Sequence, residues 1–181
     1  MRVIGWPAGA ALGVFLCACP VWAEPQTLML RPGQAEVGFR AYGLGFLPID
    51  GQFTRLSGTL ALNPADPGLC RIEVRAETAS LRMPDDDITA DAQGPDLLDV
   101  ARFPTFEYSG TCTGSRLDGT LLLHGVTRPL QLQVTREHNR WSATGPMRRA
   151  DWGMGARPNL AGPEVRIRFT VVLPPGFPAQ P

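Results

Sequence analysis

The side chains best suited to chemistry in this chain are two histidines and two cysteines, because catalysis at neutral pH usually relies on an imidazole, a thiol or an activated hydroxyl group. His124 stands between two apolar runs in LDGTLLLHGVTRPLQLQV and is followed by Gly125, whereas His138 lies near another turn. The sequence has no Gly-x-Ser-x-Gly motif and no His pair at metal-binding spacing. Two interpretations of His124 follow, a hairpin turn or the catalyst of an unrecognised hydrolase or isomerase. We favour the turn and predict neither enzymatic activity nor a metal site.

The segments around these residues alternate apolar and polar side chains with a period of two. In EVRIRFTVVL, for example, Val165, Ile167 and Phe169 alternate with Arg166 and Arg168. This pattern is typical of a half-buried β-strand, whose successive side chains leave opposite faces. Eight segments are predicted as strands: AEVGFRAY, GTLALN, CRIEVRAE, TFEYSG, GTLLLHG, PLQLQVT, RWSATGPMRR and EVRIRFTVVL.

One long connection, residues 80–104, interrupts the alternation. Pro95 precedes DLLDVA, and proline at a first turn predicts a short helix there. The acidic run at 85–87 lacks the alternating acids and central glycine of a calcium loop, so we interpret it as solvated. The predicted fold class is therefore all-β, a closed antiparallel barrel or a two-sheet sandwich, with a short helix in a long loop.

The N-terminal residues have the features of an export signal. Arg2 is followed by the apolar stretch AGAALGVFLCAC and by VWA, which together predict a signal peptide over residues 1–23 and one mature domain over residues 24–181. The stretch LCAC also resembles a lipoprotein motif that would place a lipid on Cys19, but Cys17 and Pro20 are poor neighbours for it. Both interpretations take the chain out of the cytoplasm, and we expect a periplasmic protein.

The composition excludes some partners and leaves two mature cysteines. The 17 basic and 17 acidic residues give a net charge of +0, which argues against nucleic acid as a partner. Cys70 and Cys112 fall in strand-like segments, and an oxidising compartment favours a disulfide between them over two separate thiols. In an antiparallel pair, placing Cys70 opposite Cys112 also places Ala76 opposite Phe106.

The interior of the predicted barrel is apolar, but composition does not decide whether side chains fill it. Trp141 and Trp152 are large enough to close an end, and we interpret Trp152 as a core plug rather than a stacking platform for a ligand. An open interior lined by Phe, Leu, Val and Ile would suit an apolar molecule.

Several segments, taken in order over about residues 28–173, resemble the YceI-like family of exported lipid-binding proteins. They are AEVGFRAYGLGFLPIDGQFTRLSGTLALNP, DLLDVARFPTFEYSG, LDGTLLLHGVTRPLQLQV and RRADWGM. The resemblance implies an elongated, lipocalin-like barrel of eight antiparallel strands. It also implies a hydrophobic tunnel for a polyisoprenoid chain such as a quinone tail, with no enzymatic activity and no other cofactor.

The resemblance carries over to apolar positions that match inward-facing ones in the family. The tunnel-lining residues that it predicts are Val37, Phe39, Phe53, Leu60, Ile72, Val74, Leu98, Phe106, Tyr108, Leu121, Leu123, Leu132, Trp152, Ile167 and Phe169. The chain departs from the family pattern in the long connection, where DDDITADAQGPDLLDV has neither the Arg nor the His usual there. The departure leaves two expectations, a different lipid or a head group that faces solvent.

The sequence thus favours a periplasmic carrier or sequestering protein for an isoprenoid or similar long apolar lipid. The alternative is an interaction module with a filled barrel, whose long connection docks a membrane or redox partner. Membrane association and homodimer formation are compatible with both interpretations.

Overall fold

The computed structural model of the chain describes residues 24–156 and 162–177. Within these ranges, eleven strands form one antiparallel sheet, which curls strongly into a half-barrel, and one α-helix lies in the long connection. The strands are β1 (Gln26–Leu30), β2 (Ala35–Gly43), β3 (Leu47–Phe53), β4 (Leu56–Asn63), β5 (Asp66–Glu77), β6 (Leu81–Arg82), β7 (Thr105–Thr113), β8 (Arg116–Leu123), β9 (Val126–Glu137), β10 (Arg140–Arg148) and β11 (Glu164–Val172), and the helix is α1 (Asp86–Gln93).

The alternating sequence pattern places one row of side chains from each strand on the inner face of the curled sheet. In β5, Ile72, Val74 and Ala76 are buried, whereas Arg71 and Glu73 are exposed. The same alternation runs through β7 and β9, so the inner rows of neighbouring strands meet in one continuous core. Burial of these apolar rows is the main driving force for the fold.

All eight segments predicted as strands are strands, but the predicted number of eight is wrong. The structure adds β1, β3 and β6. Pro48 and Gly51 interrupt the strand pattern of β3, and β6 has only two residues, so local sequence gave little indication of either. The strand order is β1-β4-β5-β7-β8-β9-β10-β11-β2-β3-β6. This order has two ends, at β1 and β6, so the described part of the chain forms a half-barrel rather than the predicted closed eight-stranded barrel.

Two sharp bends bring the ends of this order near each other. β3 runs into β4 through residues 54–55, and β5 runs into β6 through a 3₁₀ turn at Thr78–Ser80. The backbone N–H of Arg55 donates to Ser80 Oγ (3.1 Å), and the Thr78 hydroxyl donates to the carbonyl of Phe103 (2.7 Å). Thr78 and Ser80 are fully buried, and these bonds satisfy polar groups where the strands change direction.

The helix of the long connection lies earlier than predicted. It spans Asp86–Gln93, whereas residues 96–101 form turns. The Asp85 carboxylate caps the helix by accepting from the backbone N–H groups of Asp87 (2.9 Å) and Ile88 (3.1 Å). Acidic residues also fill the first turn, where they complement the helix dipole. The acidic run interpreted as a solvated loop is therefore the cap and first turn of α1.

Both histidines lie at hairpin tips, as the turn interpretation predicted. His124 and Gly125 connect β8 to β9 with φ angles of 52° and 72°, and His138 connects β9 to β10 with a φ of 51°. Two successive left-handed residues are typical of the tight hairpins whose twist matches the flanking strands.

The predicted disulfide and register are both confirmed. Cys70 and Cys112 are bonded, with their Cα atoms 4.7 Å apart. They pair directly across β5 and β7, and Ala76 pairs with Phe106 in the same ladder. The predicted signal peptide and the alternative lipidation site at Cys19 lie outside the described residues. No helix in the described ranges is long and apolar enough to cross a membrane.

Tyr108 lies fully inside the sheet over a glycine. Its hydroxyl donates to the carbonyl of Leu130 in β9 (3.1 Å), so the ring reaches across β8 at Gly119. A Cβ atom on Gly119 would lie 2.6 Å from Tyr108 Oη and even closer to the carbonyl oxygen of Ser109. The lack of a side chain at Gly119 therefore makes room for Tyr108.

We expect loss of the disulfide to destabilise the fold. The bond closes a loop between residues 42 positions apart, and constraint of the unfolded chain by such a loop is worth about 4 kcal/mol. Urea unfolding of a Cys70→Ala/Cys112→Ala double variant should show a correspondingly lower free energy of unfolding. The free energy of unfolding of wild-type protein in reductant should approach that of the variant. Equal free energies for oxidised wild-type protein, reduced wild-type protein and the variant would contradict the stabilising role of the disulfide.

A methyl group at Gly119 should also be costly. Gly119→Ala forces Tyr108 or the β7 backbone to move, and overpacking of this kind costs roughly 1–3 kcal/mol. Gly155→Ala is the matched control, because a Cβ atom there would have its nearest contact at an ordinary 3.7 Å from Ala150. Thermal unfolding should show a lower Tm for Gly119→Ala alone; equal Tm values for the two variants would refute this account.

Candidate ligand-binding site

A cavity of about 340 Å³ opens at one end of the curled sheet. Its walls come from β2, β3 and β11, with contributions from β7, β8 and β10, and α1 with the turns after it covers one side. Apart from Asp91 and Arg149, its lining side chains are uncharged and almost all apolar. Apolar clefts of this size are typical small-molecule sites.

The walls follow from the alternation in two paired strands. Val37 and Phe39 of β2 lie opposite Phe169 and Ile167 of β11 and line the cavity together. Apart from Gly38, the outward neighbours of these four residues are polar, as in the pair of Arg40 with Arg166. The sequence pattern that predicted half-buried strands therefore also separates the cavity wall from the wet face.

The structure brings nine of the fifteen predicted tunnel residues together around the cavity. These nine are Val37, Phe39, Phe53, Leu98, Phe106, Leu121, Leu123, Ile167 and Phe169. The other six, Leu60, Ile72, Val74, Tyr108, Leu132 and Trp152, are buried in the core outside the cavity lining. Their positions are inward-facing, as predicted, but they pack against other side chains. A ligand-binding role stays a prediction for all fifteen.

Sequence reasoning missed the residues that form the mouth and the helix side of the cavity. Further lining residues include Ala41, Leu44, Leu47, Ile49, Met83, Ile88, Asp91, Ala92, Leu97, Met147, Arg149, Met154 and Val165. Alternation alone marks Ala41, Met147 and Val165 as inward positions. The hairpin tip and α1 give no such signal, because their placement depends on tertiary contacts.

Arg149 is a buried cation with a structural set of partners. Its Nε donates to the carbonyl of Gly162 (2.8 Å) and its Nη1 to the carbonyl of Met154 (2.6 Å), with a longer bond to Ala156. Burial lowers the pKa of this guanidinium from its ordinary value. These contacts hold the backbone on both sides of residues 157–161 against the end of β10. They also direct the guanidinium toward protein carbonyls.

Aromatic rings form the deep end of the cavity. The rings of Phe53 and Phe106 are 4.8 Å apart, edge to face, and the ring of Phe169 stacks on Tyr108 with centroids 5.2 Å apart. The three phenylalanines line the cavity, whereas Tyr108 lies behind them. Burial raises the pKa of the Tyr108 phenol, which stays protonated and bonded to Leu130.

His124 and Trp152 pack beside the cavity and do not line it. The Trp152 indole donates to the carbonyl of Leu121 (3.2 Å), and His124 Nδ1 donates to the carbonyl of Trp152 (3.1 Å). The centroid of the His124 ring also lies 4.3 Å from the centroid of the Phe103 ring. Trp152 is therefore buried in the core outside the cavity lining, and its interpretation as a core plug stays a prediction. Among the described residues, no group of three His, Cys, Asp or Glu side chains is arranged to hold a metal ion.

The sequence of this chain is similar to those of known proteins. The profile of the YceI-like domain family matches residues 29–173. A UPF0312 protein of Pseudomonas savastanoi is 32% identical over 135 residues, which cover 71% of this chain and 70% of that protein. A UPF0312 protein of Pseudomonas fluorescens is 30% identical over 140 residues, with 71% of each chain covered.

Solved structures share the fold at low sequence identity. Burkholderia cenocepacia BcnA is similar with a TM-score of 0.67 and 17% identity, over 78% of this chain and 98% of that one. A polyisoprenoid binding domain from Saccharophagus degradans is similar with a TM-score of 0.57 and 16% identity, over 84% of this chain and 99% of that one. The profile match over most of the chain, together with the curated relatives, shows that this protein belongs to the YceI-like family.

Proposed function

We propose that this protein is a periplasmic carrier or sequestering protein that binds an isoprenoid or similar apolar lipid, such as a quinone, in the cavity of its curled sheet. The observation that carries the proposal is the apolar cavity of about 340 Å³ walled by the inner rows of β2 and β11. Transfer of an apolar chain from water into such a site gains roughly 25 cal/mol per Å² of buried apolar area. The relative from Saccharophagus degradans, described as a polyisoprenoid binding domain, supports the same ligand class.

The distribution of charge at the site suggests that the ligand's head group faces solvent. The two charged lining residues are Asp91 in α1 and Arg149 at the end of β10, and the Arg149 guanidinium donates to backbone carbonyls. Residues 85–100 of the long connection also have neither the arginine nor the histidine usual in the family. Apolar burial rather than head-group recognition would then supply most of the affinity.

The alternative function, an interaction module with a filled barrel, agrees less well with the fold. It requires a filled interior, whereas one end of the curled sheet encloses the cavity. The disulfide is consistent with the proposed periplasmic location, because such bonds persist in oxidising compartments.

An exposed apolar hairpin at the cavity mouth supplies a route for the lipid to enter. Between β2 and β3, Leu44, Phe46 and Leu47 have exposed fractions of 60%, 75% and 52%, and Leu44 and Leu47 also line the cavity. Leu44 has a φ of 51°, a left-handed conformation that favours glycine or asparagine over leucine. An exposed leucine in this conformation costs stability, which favours a functional reason for it. We propose that this hairpin contacts the lipid bilayer while the ligand enters or leaves.

Ligand binding is tested by placing a polar group in the cavity wall. Ile167→Gln should weaken binding of farnesol at least about tenfold, because the buried amide has no water to bond with in the occupied cavity. The measurement is displacement of a fluorescent apolar probe by farnesol. Arg166→Gln is the matched control on the opposite face of the same strand.

Wild-type protein purified from the periplasm should also carry an isoprenoid lipid, identified by native mass spectrometry beside an organic extract. An empty protein that takes up neither farnesol nor ubiquinone would overturn the proposed function. Equal farnesol affinities of the two Gln variants would place the binding site elsewhere.

Membrane contact is tested at the hairpin tip. A Leu44→Ser/Phe46→Ser variant should lose most of its co-flotation with phosphatidylethanolamine–phosphatidylglycerol vesicles, because the apolar area that enters the bilayer is removed. The matched control is Met29→Ser/Leu69→Ser, whose native side chains are 57% and 45% exposed and do not line the cavity. Equal flotation of the two variants would contradict bilayer contact. Bilayer contact would also be contradicted if sedimentation showed a wild-type dimer that the tip substitutions dissociate and the control substitutions do not.

A further inference from the structure

The cavity occupies only one end of the curled sheet. Its lining comes from residues 37–43 of β2, residues 165–169 of β11, the start of β7 and the ends of β8 and β10. Toward the other end, the inner rows contain buried side chains such as Leu62, Leu117 and Trp141, none of which lines the cavity. The interior is therefore open at one end and filled at the other.

Three aromatic residues at one level separate the two ends. Phe169 pairs with Val37, and Val37 pairs with Phe53, so these side chains lie side by side on β11, β2 and β3. The ring of Phe53 contacts the ring of Phe106 from β7, at 4.8 Å between centroids. We call Phe53, Phe106 and Phe169 the aromatic floor of the cavity.

The aromatic floor rests on a layer that has little freedom to move. Tyr108 stacks beneath Phe169 at 5.2 Å, is 1% exposed, and is held by its hydrogen bond to Leu130 over Gly119. Leu60, Ile72, Val74 and Leu132 are also buried outside the cavity lining. Close-packed interiors of this kind resist the volume changes that a chain passing through them would require.

Resting on the proposed lipid-binding function, we propose that the aromatic floor limits the ligand to a short prenyl chain, with Phe169 as the main length-determining residue. The cavity of about 340 Å³ lies at the small end of the range of about 300–1,000 Å³ for small-molecule sites. A farnesyl or geranylgeranyl chain would lie along the wall of β2 and β11 with its tail at Phe169. Each further isoprene unit would stay outside the mouth and bury no additional area.

The first test is a competition in native mass spectrometry among geraniol, farnesol, geranylgeraniol and solanesol at equal total concentrations below their aggregation limits. Affinity should rise at least about tenfold per isoprene unit while the chain still fits, because each buried methylene adds apolar contact. Beyond the limit it should rise by less than about threefold or fall, since the added units stay exposed.

The second test removes one ring of the aromatic floor. Phe169→Ala should raise the affinity for alcohols longer than the wild-type limit at least about tenfold relative to the shorter ones, because about one more isoprene unit can enter the space that the ring leaves. Phe103→Ala is the matched control: Phe103 packs against His124 outside the cavity lining, so its removal should leave the preferred length unchanged. Phe169→Leu is a milder substitution to use if the alanine variant does not fold. The affinities of wild-type protein for the four alcohols test the length limit without any variant.

The outcomes separate this inference from the function on which it rests. Solanesol binding wild-type protein more than about threefold more tightly than geranylgeraniol would overturn the length limit, because the added units would then be buried, and would leave lipid binding intact. Failure of all four alcohols to bind would overturn the proposed function and the inference with it. An unchanged length preference in a folded Phe169 variant would overturn the role of Phe169.

Discussion

The structure depends on one constraint, the burial of a single face of a curled antiparallel sheet. Each strand supplies one apolar row, and the curl turns those rows toward one another, so the enclosed space has to be filled with side chains or left open. At one end, buried side chains such as Tyr108 and Leu132 occupy it. At the other end the rows of β2 and β11 stay apart, and a cavity results.

The features that stabilise the fold lie at the filled end and the candidate site lies at the open end. The disulfide joins β5 and β7 beside Leu62 and Leu117, away from the cavity, and the fit of Tyr108 over Gly119 is also behind the aromatic floor. Leaving apolar walls without packed neighbours forgoes dispersion contacts, which costs stability in proportion to the empty volume. A well-packed, cross-linked end can offset this cost without obstructing the opening.

The sequence was sufficient for those features that depend on a local period. Alternation identified eight strands and their inner rows, and from two cysteines it also predicted the register of β5 on β7, including Ala76 opposite Phe106. It was insufficient where pairing is non-local. β3 contains Pro48 and Gly51, and Phe39 packs over Gly51 in place of the missing side chain, a compensation visible only across the strand pair. The helix was misplaced because the capping role of Asp85 looked like an acidic loop.

The same distinction applies to the candidate site. Inward-facing positions follow from the period, but whether an inward residue lines a cavity or fills a core depends on how neighbouring rows meet in three dimensions. Ile167 and Ile72 occupy equivalent places in their alternating strands, yet only Ile167 lines the cavity. The difference arises from position along the strand: Ile167 lies on the mouth side of the level of Phe169, whereas Ile72 pairs across β5 and β7 beyond Tyr108. A resemblance to lipid-binding relatives therefore predicts an apolar interior, and the depth of the usable cavity has to be determined from the packing of particular aromatic rings.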